Sequence, residues 1–304
     1  MNAMLNKALP TKEERHKQFG SVDKIKGTKP TDKEKMADLQ NEKKDYYFAI
    51  DQVGISNIRY PVFIESERAP VFQQTEGIFK LTTSLPDSEK GINMSRLPEA
   101  LHAFYEAQKP LTFETLRELT GDIAGRMKQE KAHIEVTFPW YTERKSPAME
   151  VSGLHHTHVT LASSWQADGK RTESITMKAK VATLCPCSKE ISEYSAHNQR
   201  GVVTVNMQFD SGQLPKSYKE DLLHILESNA SAALYPILKR PDEKFVTEQA
   251  FENPRFVEDL IRLIASELYE TGWVRAFEIT CENQESIHLH DAYAHLKVDK
   301  ERQR

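Results

Sequence analysis

The chain has 304 residues, 38% of them hydrophobic and 28% charged, and carries a formal net charge of −4. That describes a soluble globular protein of one large or two ordinary domains, with no charge-based reason to bind nucleic acid or a membrane surface. No apolar run reaches the roughly 18 residues of a membrane span, no signal-peptide pattern opens the chain, and three cysteines cannot build a disulfide framework, so the expected compartment is the cytoplasm, where thiols stay reduced and can bind metal.

Residues 1–44 are rich in Lys, Glu and Asp and poor in large apolar side chains, which predicts a mobile or peripheral extension. Order is expected from Tyr46. Residues 53–63 are rich in Val, Ile, Tyr and Phe, and in 77–85 Phe79, Leu81 and Thr83 alternate with Ile78, Lys80 and Thr82. Both read as strands. Helical patterns cover 97–108 and 113–131, and strand character returns over 132–141 and 149–162. Residues 174–184 and 201–209 again read as strands, 218–228 and about 245–269 as helical, and 274–281 and 287–298 as closing strands. Pro254 after Asn253 predicts a fresh helix start with Pro at the first helical position. Phe256, Leu260, Ile264 and Leu268, four apart, form its buried stripe.

Each half therefore reads β-β-α-α-β-β, a repeat of pattern with little residue identity. Paired strands flanking two helices imply an α+β architecture of antiparallel sheets with helices on one face. The expected units are 45–165 and 172–299. Open sheet edges favour joining into a barrel between subunits, so oligomerisation is expected.

The stretch richest in chemistry is Cys185-Pro186-Cys187, with His197 twelve residues after Cys185. Proline biases the preceding residue toward extended backbone, and in an extended segment residues two apart face the same way. Both sulfurs would then line one pocket. The bland alternative is two small buried hydrophobes. His197 alone would be a hydrogen-bonding loop residue. Too few Cys exist for a closed structural zinc site, so the set suits a site that keeps a position for water. Glu243 sits in a charged turn beside Asp242, and composition does not separate the two. His288 and His290 would share a strand face by the two-residue period, which suits metal binding or proton transfer. His155, His156 and His158 are denser in imidazole. They rank lower, as an exposed polar edge strand with no acidic or Cys partner adjacent in sequence.

Taken together, Leu184–Ser192, Ala196–Arg200, Lys239–Lys244 and Glu285–Tyr293, with Asp51–Ile55 and Gly91–Arg96, resemble the type IB GTP cyclohydrolases over about residues 45–298. Two departures are Asn93, where His is expected, and Leu289, where a polar residue is more usual. The resemblance implies two tandem tunnelling-fold modules, a homo-oligomer, expected to be a tetramer, with sites between subunits, and conversion of GTP and water to 7,8-dihydroneopterin triphosphate and formate. It implies a divalent metal, Zn2+ or Mn2+, on Cys185, His197 and Glu243. Cys187 would lie beside the metal, as a fourth ligand or a hydrogen-bonding thiol, His288 and His290 would move protons, and Glu258 would anchor the guanine edge. Lys189 and Arg200, near the metal loop, and Arg96 and Lys145, in the first half, are the candidate cations for triphosphate. Two competing readings are a deazaguanine nitrile reductase of the same fold, which would need a lone nucleophilic Cys, and a non-catalytic metal- or purine-binding module.

Overall fold

Along β3 (Lys131–Lys145), Ala132, Ile134, Val136, Phe138 and Trp140 are each at most 2% exposed, while the residues between them are half-buried. A strand that buries every second side chain needs a layer on that face only. The computed structural model, which describes residues 9–210 and 212–301, supplies it with helices.

Eight strands form one antiparallel sheet in chain order: β1 (Ile50–Glu65), β2 (Phe72–Leu85), β3, β4 (Ser152–Gln166), β5 (Arg171–Leu184), β6 (Asn198–Phe209), β7 (Val274–Asn283) and β8 (Ala292–Asp299). A tight turn over residues 167–170 joins β4 to β5, and these strands pair from Trp165↔Arg171 to His158↔Lys178. The two halves thus share one sheet, whose edges are β1 and β8. α2 (Arg96–Glu106) and α3 (Phe113–Met127) cover the first half, and α5 (Tyr218–Ser228) and α7 (Val257–Glu270) the second. Leu116 and Ile123 of α3 and Leu260, Ile264 and Leu268 of α7 are fully buried. Each such side chain contributes roughly 1.5–3 kcal/mol. Phe256, placed on the same stripe by its spacing, stays 38% exposed because it caps α7 rather than lying in it.

The architecture is α+β, with seven α-helices among the described residues. The second half departs from the expected pattern. It adds α4 (Pro186–Ile191) between β5 and β6, and α6 (Arg240–Glu252) ahead of α7. Pro254 is not the first residue of a helix: Asn253 caps α6, and α7 starts at Val257. Pro254 lies in the linker, where its missing N–H suits a stop. β8 begins at Ala292, so His288 and His290 sit in the preceding loop and share no strand face. β4 is an inner strand, paired on both sides, and not an edge. Within the N-terminal extension, α1 (Lys12–Gln18) is closed by a Thr11–Glu14 capping box and buries nothing. The end of the extension is tied to the segment after β2, through Lys90–Glu42 at 3.0 Å and Tyr46 N–H to the Asp87 carbonyl at 2.8 Å. No helix among the described residues is long and apolar enough to cross a membrane.

Candidate active site

At one end of the second half, the end of β5 and the start of β6 bring the Cys185 and His197 segments together. β5 stops at Leu184, and Cys185 (φ −71°, ψ 120°) caps α4, with Pro186 at the first helical position. A proline there gives up an N–H that the helix would leave unpaired. The Cys185 Sγ accepts from the Ser188 N–H at 3.4 Å. Cys187 falls inside the helical turn and is exposed, whereas Cys185 is half-buried. The strand-like alternation expected to aim both sulfurs into one pocket therefore does not operate, because helical residues two apart diverge by about 200°.

The Cys185 N–H donates to the His197 carbonyl at 3.1 Å, and the His197 N–H donates to the Ser188 hydroxyl at 3.2 Å. These bonds close the Cys-to-His connection into a small ring. The His197 Nδ1 lies 2.9 Å from Gln199 Oε1 and 3.7 Å from Glu285 Oε2. Gln199 is itself oriented by its amide on Thr183 Oγ1 at 3.1 Å. The Gln199 acceptor, with the Glu285 carboxylate on the same side, assigns the proton to Nδ1 and leaves the Nε2 lone pair for an electrophile. Gln199 and Glu285 were given no role by the sequence reading. The available signal was Gln199 two residues beyond His197, the spacing at which one strand face repeats.

Glu285 belongs to the loop between β7 and β8, whose Gln284 N–H donates to the Arg200 carbonyl at 2.9 Å. Beneath it β6 and β7 approach so closely that a Cβ on Gly201 would lie 2.6 Å from Asn283 Oδ1. The same loop carries His288 and His290, exposed and stacked with ring centroids 5.0 Å apart. The Arg255 N–H donates to the Leu184 carbonyl at 3.0 Å. That bond sets the start of α7, with Glu258 exposed in its first turn, beside the end of β5.

Asp242 and Glu243 separate cleanly. Asp242 is fully buried and accepts from the Lys239, Ala148 and Met149 N–H groups at 2.8–2.9 Å. Burial pushes its pKa up, but those backbone donors outweigh it and hold the carboxyl below the usual range. Its oxygens are committed to pinning the β3–β4 connection onto α6. Glu243, in the first turn of α6, is exposed and available as a ligand.

The candidate cations differ as well. The Lys189 Nζ donates to the Phe251 carbonyl at 2.6 Å and lies over the Phe251 ring, tying α4 to α6. Arg200 is exposed on β6. In the first half, Arg96 donates to the Arg126 carbonyl and Lys145 lies 3.9 Å from Glu150. Among the described residues no three His, Cys, Asp or Glu side chains are already gathered as an ion cage. The donor chemistry nevertheless fits a divalent ion: a half-buried thiol, an imidazole with Nε2 free, and an exposed carboxylate.

The histidine-rich segment of β4 has an acidic neighbour after all. His155 Nε2 lies 3.7 Å from Glu227 of α5, and Arg144 donates to Glu227 at 2.6 Å. Burial, reinforced by Arg144, lowers the His155 pKa to about 4.

The uricase of Arthrobacter globiformis shares the fold, with a TM-score of 0.50 over 83% of this chain and 94% of that one at 7% identity. GTP cyclohydrolase FolE2 of Bacillus licheniformis is 53% identical over 96% of this chain and 98% of its own length. GTP cyclohydrolase FolE2 of Bacillus subtilis is 54% identical, over 96% and 97%. The family profile GCHY-1, type I GTP cyclohydrolase folE2, matches residues 36–294, so the chain belongs to that family.

Proposed function

We propose that the protein converts GTP and water to 7,8-dihydroneopterin triphosphate and formate, the first step of folate-type pterin synthesis. The observation that carries this reading is the His197 ring, its Nδ1 bonded to Gln199 with Glu285 at 3.7 Å, on a backbone tied directly to that of Cys185. The names of relatives about half identical over nearly the whole chain support it.

Cys185 Sγ, His197 Nε2 and Glu243 would hold Zn2+ or Mn2+. When bound there, the ion supplies water acidified toward neutral pH, the nucleophile that guanine C8 requires. Glu258 accepts hydrogen bonds from guanine N1–H and the 2-amino group, a pair of donors that adenine lacks. His288 and His290, outside the ligand set, keep their nitrogens free to deliver protons during ring opening and reclosure. Cys187, on the exposed side of α4, acts as a hydrogen-bonding thiol. Arg200 and Lys189 are the candidate cations for the triphosphate, and Lys189 must leave the Phe251 carbonyl to serve.

Residues 45–165 and 172–299 act as two tunnelling-fold modules, and an oligomer, a tetramer by the family resemblance, closes the sheets into a barrel. In the first half, the corresponding end of the sheet is covered by the β6–α5 segment of the second. By the same join, the β2–α2 segment of another copy, including Asn93, would cover the site of the second half. A fully active monomer in sedimentation would overturn this arrangement.

The reaction is tested by supplying GTP to metal-loaded protein and measuring formate together with the fluorescence of the oxidised pterin. Stoichiometric formate supports the assignment. NADPH oxidation with a deazaguanine nitrile and no formate from GTP would replace it with the reductase reading.

A further inference from the structure

The two halves place the same structural join at equivalent points. In the second, the residue before the α7 cap, Arg255, donates its N–H to Leu184 at the end of β5. In the first, the residue before the α3 cap, Leu111, donates to Phe63 near the end of β1 at 2.7 Å. The second residue of each helix is a glutamate: Glu258 in α7 and Glu114 in α3. Glu114 faces a cavity of about 530 Å3, within the range of small-molecule sites.

The cavity is built rather than incidental. Glu220 holds one wall by accepting from the Glu67 and Arg68 N–H groups at 2.9 and 3.4 Å. Phe113, another lining residue, packs against Phe209 with ring centroids 4.7 Å apart. Lys219 also lines the cavity, although the residue is only 5% exposed. Among the described residues its ammonium makes no hydrogen bond or ion pair; Nζ lies 4.5 Å from the Tyr218 ring centroid, in the field of the Glu220, Glu65 and Glu67 carboxylates. Its three donors are uncommitted and can serve a ligand oxygen at the face of the cavity.

We propose that this cavity is a second, non-catalytic site for an uncharged bicyclic heterocycle bearing the 2-amino-4-oxopyrimidine edge of guanines and pterins. Glu114 accepts from the ring N–H and the exocyclic amine, and Lys219 donates to the adjacent carbonyl oxygen. The ligand class rests on the guanine-anchoring role proposed for Glu258. The lining contains no Cys or His, so the site lacks the groups that the neighbouring chemistry needs. Its charged side chains are three carboxylates, Glu65, Glu67 and Glu114, against two ammonium groups, Lys216 and Lys219. That balance disfavours a triphosphate and selects the unphosphorylated nucleoside or pterin.

Calorimetric titration of the intact protein with guanosine and, separately, with 7,8-dihydroneopterin tests the site. In Glu258→Gln protein one site per chain should remain, for at least one of the two compounds, and which one binds assigns the source. Adding Glu114→Gln should weaken that site at least about tenfold, and adding Lys219→Met should do the same. Glu114→Gln alone alters an exposed helix position and should leave GTP turnover within about twofold, with the circular dichroism unchanged. If Glu258→Gln protein binds neither compound at millimolar concentration, or if Glu114→Gln leaves its remaining site intact, the proposal is wrong. If Glu258→Gln removes no site while Glu114→Gln removes one, the cavity stands and the role given to Glu258 falls.

Discussion

Histidine meets glutamate at 3.7 Å in two places, and the pairs have similar burial. The His155 and Glu227 side chains are each 11% exposed, and those of His197 and Glu285 are 12% and 14% exposed. Their surroundings divide them. Glu227 is already bonded to Arg144, and the His155 Nδ1 and Glu227 Oε1 are buried without hydrogen bonds. Nothing there prepares either ring nitrogen for a reaction. At His197 a chain from Thr183 through Gln199 holds Nδ1, and the residue's backbone is bonded to that of Cys185 at the end of β5. Proximity of acid and imidazole is therefore a poor marker of chemistry. What distinguishes the second pair is a ring with one nitrogen bonded and the other released.

The largest effects should come from removing what the released nitrogen works with. Cys185→Ala and Glu243→Gln should each lose metal and turnover together, the latter by about a thousandfold or more, since the ion contributes several kcal/mol. Elemental analysis beside formate release provides the check, and full occupancy in Cys185→Ala would strike the thiol from the ligand set. Asp242→Asn, one residue from Glu243, should instead lower the unfolding midpoint, because its carboxylate holds backbone donors.

Next in size are His288→Ala and His290→Ala. Each should lower kcat by about 10²–10⁴ with metal content near wild type, while guanine binding weakens far less. Loss of metal in either variant would make that histidine a ligand and blur the line drawn between His197 and the loop.

Much of this frame was legible because it follows from periods. Phe79, Leu81 and Thr83 are buried as their alternation required, and α5 has the bounds its pattern implied. Connections were harder to read. Cys185-Pro186-Cys187 suggested extended chain, yet proline equally suits a helix start, and the local sequence does not choose between them. His288 and His290 have the spacing of a strand, but the loop bond from Gln284 to Arg200 delays β8 to Ala292. β4 resembled an edge because its polar side chains face away from the helices; whether a strand is inner or outer depends on long-range pairing. The choice between Asp242 and Glu243 was likewise invisible, since the partners of Asp242 lie on Ala148 and Met149, more than ninety residues away.

A smaller effect sharpens the contrast at His197 itself. Gln199→Ala removes the acceptor that fixes Nδ1 while leaving every proposed ligand in place. Metal affinity should fall about 10–100-fold, the usual range for such outer partners, with the unfolding midpoint changed little. Glu285 lies farther from Nδ1, so Glu285→Gln should cost less. If both variants bind metal as tightly as wild type, the orientation argument fails and His197 differs from His155 only by its neighbours.

The other pair should betray itself in stability. Burial lowers the His155 pKa to about 4 from 6.5, and Glu227 does not reverse this because Arg144 already holds its charge. Between those values the unfolded chain binds the proton more readily than the folded one, so this histidine costs stability as pH falls from about 7 to 5. The slope corresponds to roughly 1–2 kcal/mol after allowing for partial solvent screening. Glu227 works in the opposite sense. Burial raises its pKa despite Arg144, so its folded form takes up a proton more readily and gains as pH falls. The wild-type curve is the sum of the two, and His155→Gln removes only the first. Urea midpoints at pH 7 and 5 should therefore lie closer together in His155→Gln than in wild type, with metal content and GTP turnover unchanged at pH 7. An identical pH dependence in both proteins would mean that His155 is solvated when folded. Loss of turnover would mean that the seam between the halves takes part in the reaction, and the distinction between the two pairs would disappear.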